Sequence, residues 1–133
     1  AKGARKVTPL EVSGPFHSPL MQSARDELAA ALTMVKFSDA RVPVYCNIDA
    51  MPTTSAAELK NKLLLQITGS VRYEDTVSNM IRHGVDEFVE IGPGKVLSGL
   101  NKKIVASIQT LFASDSESLS ALLQTTPAGE LKA

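Results

Sequence analysis

Residues 14–20 read GPFHSPL, and His17 is the side chain in them best suited to chemistry. Imidazole takes and gives protons near neutral pH, which makes histidine the commonest general base. Ser18 suits a helix N-cap and Pro19 the first helical position, so His17 precedes the cap. There it lies beside the positive end of the helix dipole, which favours a neutral ring able to accept a proton. An ordinary loop histidine fits the same local sequence. Gln66 is a second polar candidate. It follows Leu59 and Leu63 by seven and three residues, so a side-chain amide or a terminal main-chain carbonyl is aimed inward, where it must find a hydrogen bond. It could orient an imidazole, although a helix-terminal residue bonded only to backbone is the plainer reading of Gln66 by itself.

A nucleophile for such a base is not apparent. The Ser18 hydroxyl is better used as the cap, and Ser13 and Ser98 lack the glycine two residues earlier that a G-x-S-x-G elbow requires. The turn Gly92-Pro93-Gly94-Lys95, set between a strand and a helix, invites an anion-binding reading, because a helix N-terminus presents free N–H groups. Its spacing fits no nucleotide motif. G-x-G-x-x-G from Gly92 would need glycine where Leu97 stands, and the Walker pattern fails because Val96 follows Lys95. A structural turn fits better. His17, His83 and Cys46 have no metal-ligand spacing among themselves, and no cofactor is implied.

Elements of both periods alternate to position these residues. VTPLEVS (7–13) is strand-like, with Val7, Leu10 and Val12. Met21, Ala24, Leu28, Leu32 and Val35 mark one face of a helix. RVPVYCNI (41–48) reads as a strand and 49–54 as a loop. Ser55 with Glu58 forms a capping box for a helix whose inward face is Leu59, Leu63 and Ile67. A third helix carries Tyr73, Val77, Met80 and Ile81 and stops at Gly84, with a solvated His83 in its last turn. Phe88, Val89 and Ile91 read as a buried-type strand, 96–104 as a helix ending near Lys102 and Lys103, and 106–112 as another strand. Ser114 with Glu117 caps a last helix holding Leu119, Leu122 and Leu123, and TTPAGELKA is a frayed tail. Strands separated by helices indicate an α/β fold with a mainly parallel sheet.

Composition bounds the class. The chain has 133 residues, 44% of them hydrophobic, which is one globular domain's worth. Its 14 basic and 14 acidic residues cancel, so no global field draws it to nucleic acid or anionic lipid. Its single cysteine, Cys46, sits in an apolar run and reads as a small buried side chain, which fits a reducing cytoplasm. No stretch approaches a membrane span, and AKGARK lacks the apolar core of a signal peptide. That opening starts without methionine and reads as the last turn of a helix running into a strand, so a fragment is expected.

Four strings, VSGPFHSPLM (12–21), PVYCNIDA (43–50), LLLQITGSVRYEDTV (63–77) and VEIGPGKVLSGLNKKI (89–104), resemble successive motifs in the C-terminal part of the bacterial malonyl-CoA:acyl carrier protein transacylases. The resemblance runs to about residue 113. It implies an α/β-hydrolase-like acyltransferase domain into which a small ferredoxin-like subdomain is inserted. Residues 1–13 would then end the insert, 14–124 would be the C-terminal part of the large subdomain, and 125–133 the tail. It further implies that His17 is the base for an elbow serine and that the main-chain carbonyl of Gln66 orients its ring. Phe16 corresponds to a position associated with the choice of malonyl over methylmalonyl. The implied partners are malonyl-CoA, acyl carrier protein and the missing N-terminal half, which would carry the serine, a carboxylate-binding arginine and the oxyanion segment. This chain alone would not turn over. An acyltransferase domain of a polyketide synthase and a non-enzymatic anion-binding module built on Gly92–Lys95 are the alternatives.

Overall fold

The computed structural model describes residues 12–125, with Gly3 and Pro9. Most of the strand expected over 7–13 and of the subdomain end over 1–13 lies outside the described residues, as does the tail beyond Thr125. Val12 and Ser13 adopt no regular structure.

Ser18 and Pro19 open a 3₁₀ turn over Pro19–Met21 that runs into α1 (Gln22–Leu32). Met21, Ala24 and Leu28 turn partly inward and Leu32 is buried, as their spacing requires. The helix stops short of Val35. Thr33 gives both its amide, at 3.2 Å, and its hydroxyl, at 2.7 Å, to the Ala30 carbonyl, which tightens the last turn.

The strand expected over 41–48 shortens to β1 (Val44–Tyr45), and it pairs antiparallel with β2 (Pro52–Thr53), which falls inside the expected loop. Proline is tolerated there because the pair is two residues long and lies at an edge. The intervening turn is set by its own polar groups. Ala50, fully buried and left-handed at φ 61°, donates its amide to the Cys46 carbonyl at 2.9 Å. The Asp49 carboxylate accepts from the Met51 amide at 3.2 Å and pairs with Lys62 at 2.9 Å. Burial pushes the Asp49 carboxyl upward, but the Lys62 and Met51 bonds outweigh it and lower its pKa.

α2 (Ala56–Thr68) packs against α1. Ser55 caps it by accepting from the Glu58 amide at 3.4 Å. The second arm of the expected capping box takes another course, because the Glu58 carboxylate accepts from the Thr53 hydroxyl and so ties α2 to β2. α2 ends at Gly69, whose backbone is extended (ψ 155°) and pressed against the Ile48 side chain. α3 (Tyr73–Arg82) then runs to the left-handed Gly84, where its pattern stops. Its Arg72 cap donates its amide to the Asn47 carbonyl at 2.8 Å, and Asn79 donates to the Ala50 carbonyl at 2.8 Å. Both helices are thereby moored to the 46–51 turn.

β3 (Glu87–Ile91), α4 (Val96–Ile104) and β4 (Gln109–Ala113) form a parallel strand–helix–strand unit, in register from Glu87 with Gln109 to Ile91 with Ala113. One parallel and one antiparallel pair thus replace the mainly parallel sheet expected. Alternation puts Phe88, Glu90, Thr110 and Phe112 on the face under α4, and buried Asn101 closes that layer. Asn101 is 2% exposed. It accepts from the Tyr73 hydroxyl at 2.8 Å and reaches the Thr110 hydroxyl at 3.5 Å, joining α3, α4 and β4. Burial and then the Glu90 charge raise the Tyr73 phenol, against a lowering by the Asn101 bond. Val89 and Ile91 face the other way. They are 40% and 72% exposed rather than buried, because no helix of the described residues covers them. α5 (Ser116–Thr125) packs on β4. Its cap is the pair Asp115 and Ser118 rather than Ser114 and Glu117. The Asp115 carboxylate accepts from the Ser118 amide at 2.8 Å, and the Ser118 hydroxyl accepts from the Asp115 amide at 3.1 Å.

Two predictions follow from this packing. A Cβ at Gly69 would meet Ile48 Cδ1 at 2.1 Å and the Leu65 carbonyl oxygen at 3.1 Å, with Ile48 Cγ1 at 3.5 Å. Gly69→Ala should therefore destabilise by about 1–3 kcal/mol, as overpacking does. Ile48→Val, which deletes Cδ1 but leaves the Leu65 carbonyl in place, should return part of that loss. Chemical denaturation of the double-mutant cycle measures the coupling, and strictly additive effects would refute the contact. The second concerns Glu90, whose carboxyl is held below its ordinary 4.5 by the Ser98 hydroxyl first and the Ser98 amide next. A carboxyl with a depressed folded pKa adds stability that is complete above its unfolded value and lost as pH falls through the folded one. Thermal melts should decline below pH 4.5, and less steeply in Glu90→Gln. The remaining decline would belong to Asp49 and Asp115, whose carboxyls are also lowered.

Candidate active site

The turn at 15–18 and the end of α2 meet at His17. The His17 backbone is left-handed at φ 57°. For a residue with a Cβ this costs roughly 1–2 kcal/mol, so neighbours must hold it. Ser18 does so by donating its hydroxyl across His17 to the Pro15 carbonyl at 2.7 Å, and it caps the helix start by accepting from the Leu20 amide at 3.3 Å. His17 Nδ1 lies 2.8 Å from the Gln66 main-chain oxygen. A carbonyl only accepts, so Nδ1–H is the donor, and in the neutral ring Nε2 carries the lone pair. The carbonyl is free for this because Gln66 is in the last turn of α2, where helical donors run out.

The structure thus brings His17 and Gln66 together through the main chain of Gln66, not its amide. The Gln66 residue also lines an apolar cavity of about 620 Å³ between α2, α3 and β1, shared with Tyr45, Leu63 and Met80. Phe16 stands next to His17 and is 55% exposed, its ring folded back to within 3.4 Å of where a Gly14 Cβ would be. His17 is itself exposed, so Nε2 can be reached.

The remaining candidates are otherwise engaged. With its one proton given to Pro15, Ser18 acts as a cap and clamp. Ser98 donates its hydroxyl at 2.5 Å and its amide at 2.8 Å to the Glu90 carboxylate, which also accepts from the Leu97 amide at 3.1 Å. The N-terminus of α4 is therefore filled by the protein's own carboxylate. Lys95 lies 3.7 Å from the centroid of the Phe112 ring, a cation–π contact. The Gly92–Lys95 turn offers no ready anion seat, which removes the ground for an anion-binding module. His83 is exposed as expected, yet tied to the Tyr45 hydroxyl at 2.5 Å through Nδ1. Cys46 is half-buried, and burial raises its thiol pKa. Among the described residues no cluster of His, Cys, Asp or Glu could hold a metal ion, and no helix is long and apolar enough to cross a membrane. Two features had no motif to announce them, the left-handed His17 and the Glu90 seal on α4. Both depend on contacts that local spacing does not encode.

No protein-family model matches the chain. Over 123 residues it is 46% identical to the malonyl CoA-acyl carrier protein transacylase of Bacillus subtilis, a match that covers 92% of this chain and 39% of that protein. The crystal structure of MCAT from Streptococcus pneumoniae superposes with a TM-score of 0.85 at 38% identity, over 94% of this chain and 41% of that one. A malonyl-transacylase in complex with a type II PKS acyl-carrier protein gives 0.84 at 37% identity, over 94% and 40%. In sequence and in fold the chain belongs to the malonyl CoA-acyl carrier protein transacylase family, of whose members it spans about two fifths.

Proposed function

We propose that this chain supplies the base and its orienter to an enzyme that moves malonyl from CoA to the phosphopantetheine thiol of acyl carrier protein. The observation that carries the reading is the 2.8 Å bond from His17 Nδ1 to the Gln66 carbonyl, which in the neutral ring puts the proton on Nδ1 and the lone pair on an accessible Nε2. The transacylase name of the relatives and the carrier-protein complex of a structural neighbour support the substrate class.

The mechanism is a ping-pong acyl transfer. Nε2 takes the proton of a serine hydroxyl as its oxygen attacks the malonyl thioester carbon. When the tetrahedral intermediate collapses, the C–S bond breaks and the proton goes to the departing CoA sulfur. In the second half, Nε2 takes the proton of the carrier-protein thiol, whose sulfur attacks the malonyl-serine ester, and returns it to the serine oxygen. A neutral carbonyl orients the ring but stabilises imidazolium less than a carboxylate would. That is enough for a thioester, because a thiolate leaves readily. Phe16, one residue before the base, would crowd an α-methyl group and favour malonyl over methylmalonyl.

The serine, the arginine for the malonyl carboxylate and the oxyanion segment belong, on this reading, to an N-terminal half outside residues 1–133. Residues 1–13 would end a ferredoxin-like insert and 14–124 complete the large α/β-hydrolase-like subdomain. The exposed Val89 and Ile91 face is consistent with such a half, because a strand face this apolar needs a cover.

In the complete enzyme, His17→Ala should lower malonyl transfer to acyl carrier protein by at least about a hundredfold, the scale of a lost general base, with an unchanged far-UV spectrum. Near-normal transfer would sink the assignment. The chain by itself should form no acyl-enzyme with radiolabelled malonyl-CoA and should gain that ability when the N-terminal half is supplied.

A further inference from the structure

We infer that Ser18 is a positioning residue for His17, holding the base in the left-handed backbone that lets its ring meet Gln66. This rests on the reading of His17 as the base. His17 at φ 57° would relax towards the right-handed or extended region if nothing opposed it. The opposing element is one hydroxyl that reaches back across His17 and forward to the helix start. Its proton goes back to the Pro15 carbonyl at 2.7 Å, and its lone pair takes the Leu20 amide at 3.3 Å. The first bond spans His17 and fixes the turn, whereas the second only begins the helix. An N-cap needs an acceptor alone, so the donated proton is surplus to capping and is explained by the turn it closes.

The ring's position depends on that turn. His17 makes no other side-chain bond among those found in the described residues, so its Nδ1–H finds the Gln66 carbonyl only where the backbone aims it. Side chains at positions 17 and 66 alone therefore do not define the pair. Loss of the Pro15 bond should free the His17 backbone, break the Nδ1 bond and let both neutral tautomers form. The base's competence depends on that tautomer, because a proton on Nε2 blocks uptake of another.

Three substitutions in the complete enzyme separate the roles. Ser18→Ala removes both bonds. Ser18→Asp keeps an acceptor for the Leu20 amide, so the helix start stays capped, but has no proton for Pro15. Ser18→Thr keeps both. Expected are a fall in kcat of about ten- to a hundredfold in Ala and Asp, with KM for malonyl-CoA little changed, and recovery in Thr. The ¹⁵N shifts of the His17 ring should report the Nδ1–H tautomer in the parent and in Thr, and a tautomer mixture in Ala and Asp. Should Ala not fold, Asp carries the test, because its cap is intact. Parental kcat and tautomer in Ala or Asp would overturn the role of Ser18. His17→Ala, run alongside, distinguishes the failures. If it is inactive while Ser18→Asp is normal, only the positioning proposal falls; if it is active, the reading of His17 as the base falls.

Discussion

The bond between His17 and Gln66 joins residues 49 apart and uses a main-chain atom at one end, so it is set by where two backbones stop. α2 must end at Thr68 for the Gln66 carbonyl to lack a helical donor, and the chain at His17 must turn left-handed for the ring to face it. Every neighbouring feature serves one of those conditions. The close approach of Gly69 and Ile48 sets the 46–51 turn against the end of α2, and Lys62 and Arg72 pin that turn from α2 and the start of α3. On the other side, the Ser18 hydroxyl holds the turn that carries the ring. A side-chain orienter could be replaced by any residue able to accept. A carbonyl orienter can be replaced by none, yet it tolerates many side chains, so the constraint moves from residue identity to backbone geometry.

That shift explains what the sequence disclosed. Helix starts were legible where a short polar residue precedes the apolar period, as at Ser18 and Ser55, because capping is a contact within three residues. The strand–helix–strand unit over 87–113 was legible for the same reason, its period switching at a glycine turn. The hairpin was not. Its second strand is Pro52–Thr53, two residues with a proline, and it exists because Ala50 turns left-handed under contacts from Asn79 and Cys46. Nor could spacing choose Asp115 over Ser114 as the cap of α5, since both have a partner three residues on and only the backbone path decides. For the site, residue types pointed to His17 and the inward face pointed to Gln66. Spacing left the amide and the main-chain carbonyl of Gln66 equally open; the family resemblance implied the carbonyl, and it is the carbonyl that meets the ring.

The anionic seal on α4 shows how a familiar sequence signal loses its ordinary meaning. Glycine turns before helices attract anions because the first amides are unpaired. Here Glu90, at the end of the preceding strand on the α4 side, supplies the anion from within and takes the Leu97 and Ser98 amides together. The glycines remain necessary for the path, with Gly92 and Gly94 at φ 142° and 92°, but the path leads to a structural joint. Lys95, which would otherwise complete a phosphate site, lies over the Phe112 ring. The same layer then carries Asn101 and Tyr73, so a polar chain runs from the turn to α3.

Polar and apolar groups are completed to different degrees in this chain. Among the described residues, no buried side-chain nitrogen or oxygen lacks a hydrogen-bond partner. The apolar groups are less well served: among the same residues only Leu32, Ala50, Val77 and Ala113 are buried, while Val89, Ile91, Val96 and Leu97 stay exposed around one strand–helix joint. Hydrogen bonds are short-ranged and close within neighbouring elements, whereas burying a sheet face requires a whole further layer. The described residues therefore contain the means of holding His17 in place without the means of covering the β3–α4 joint.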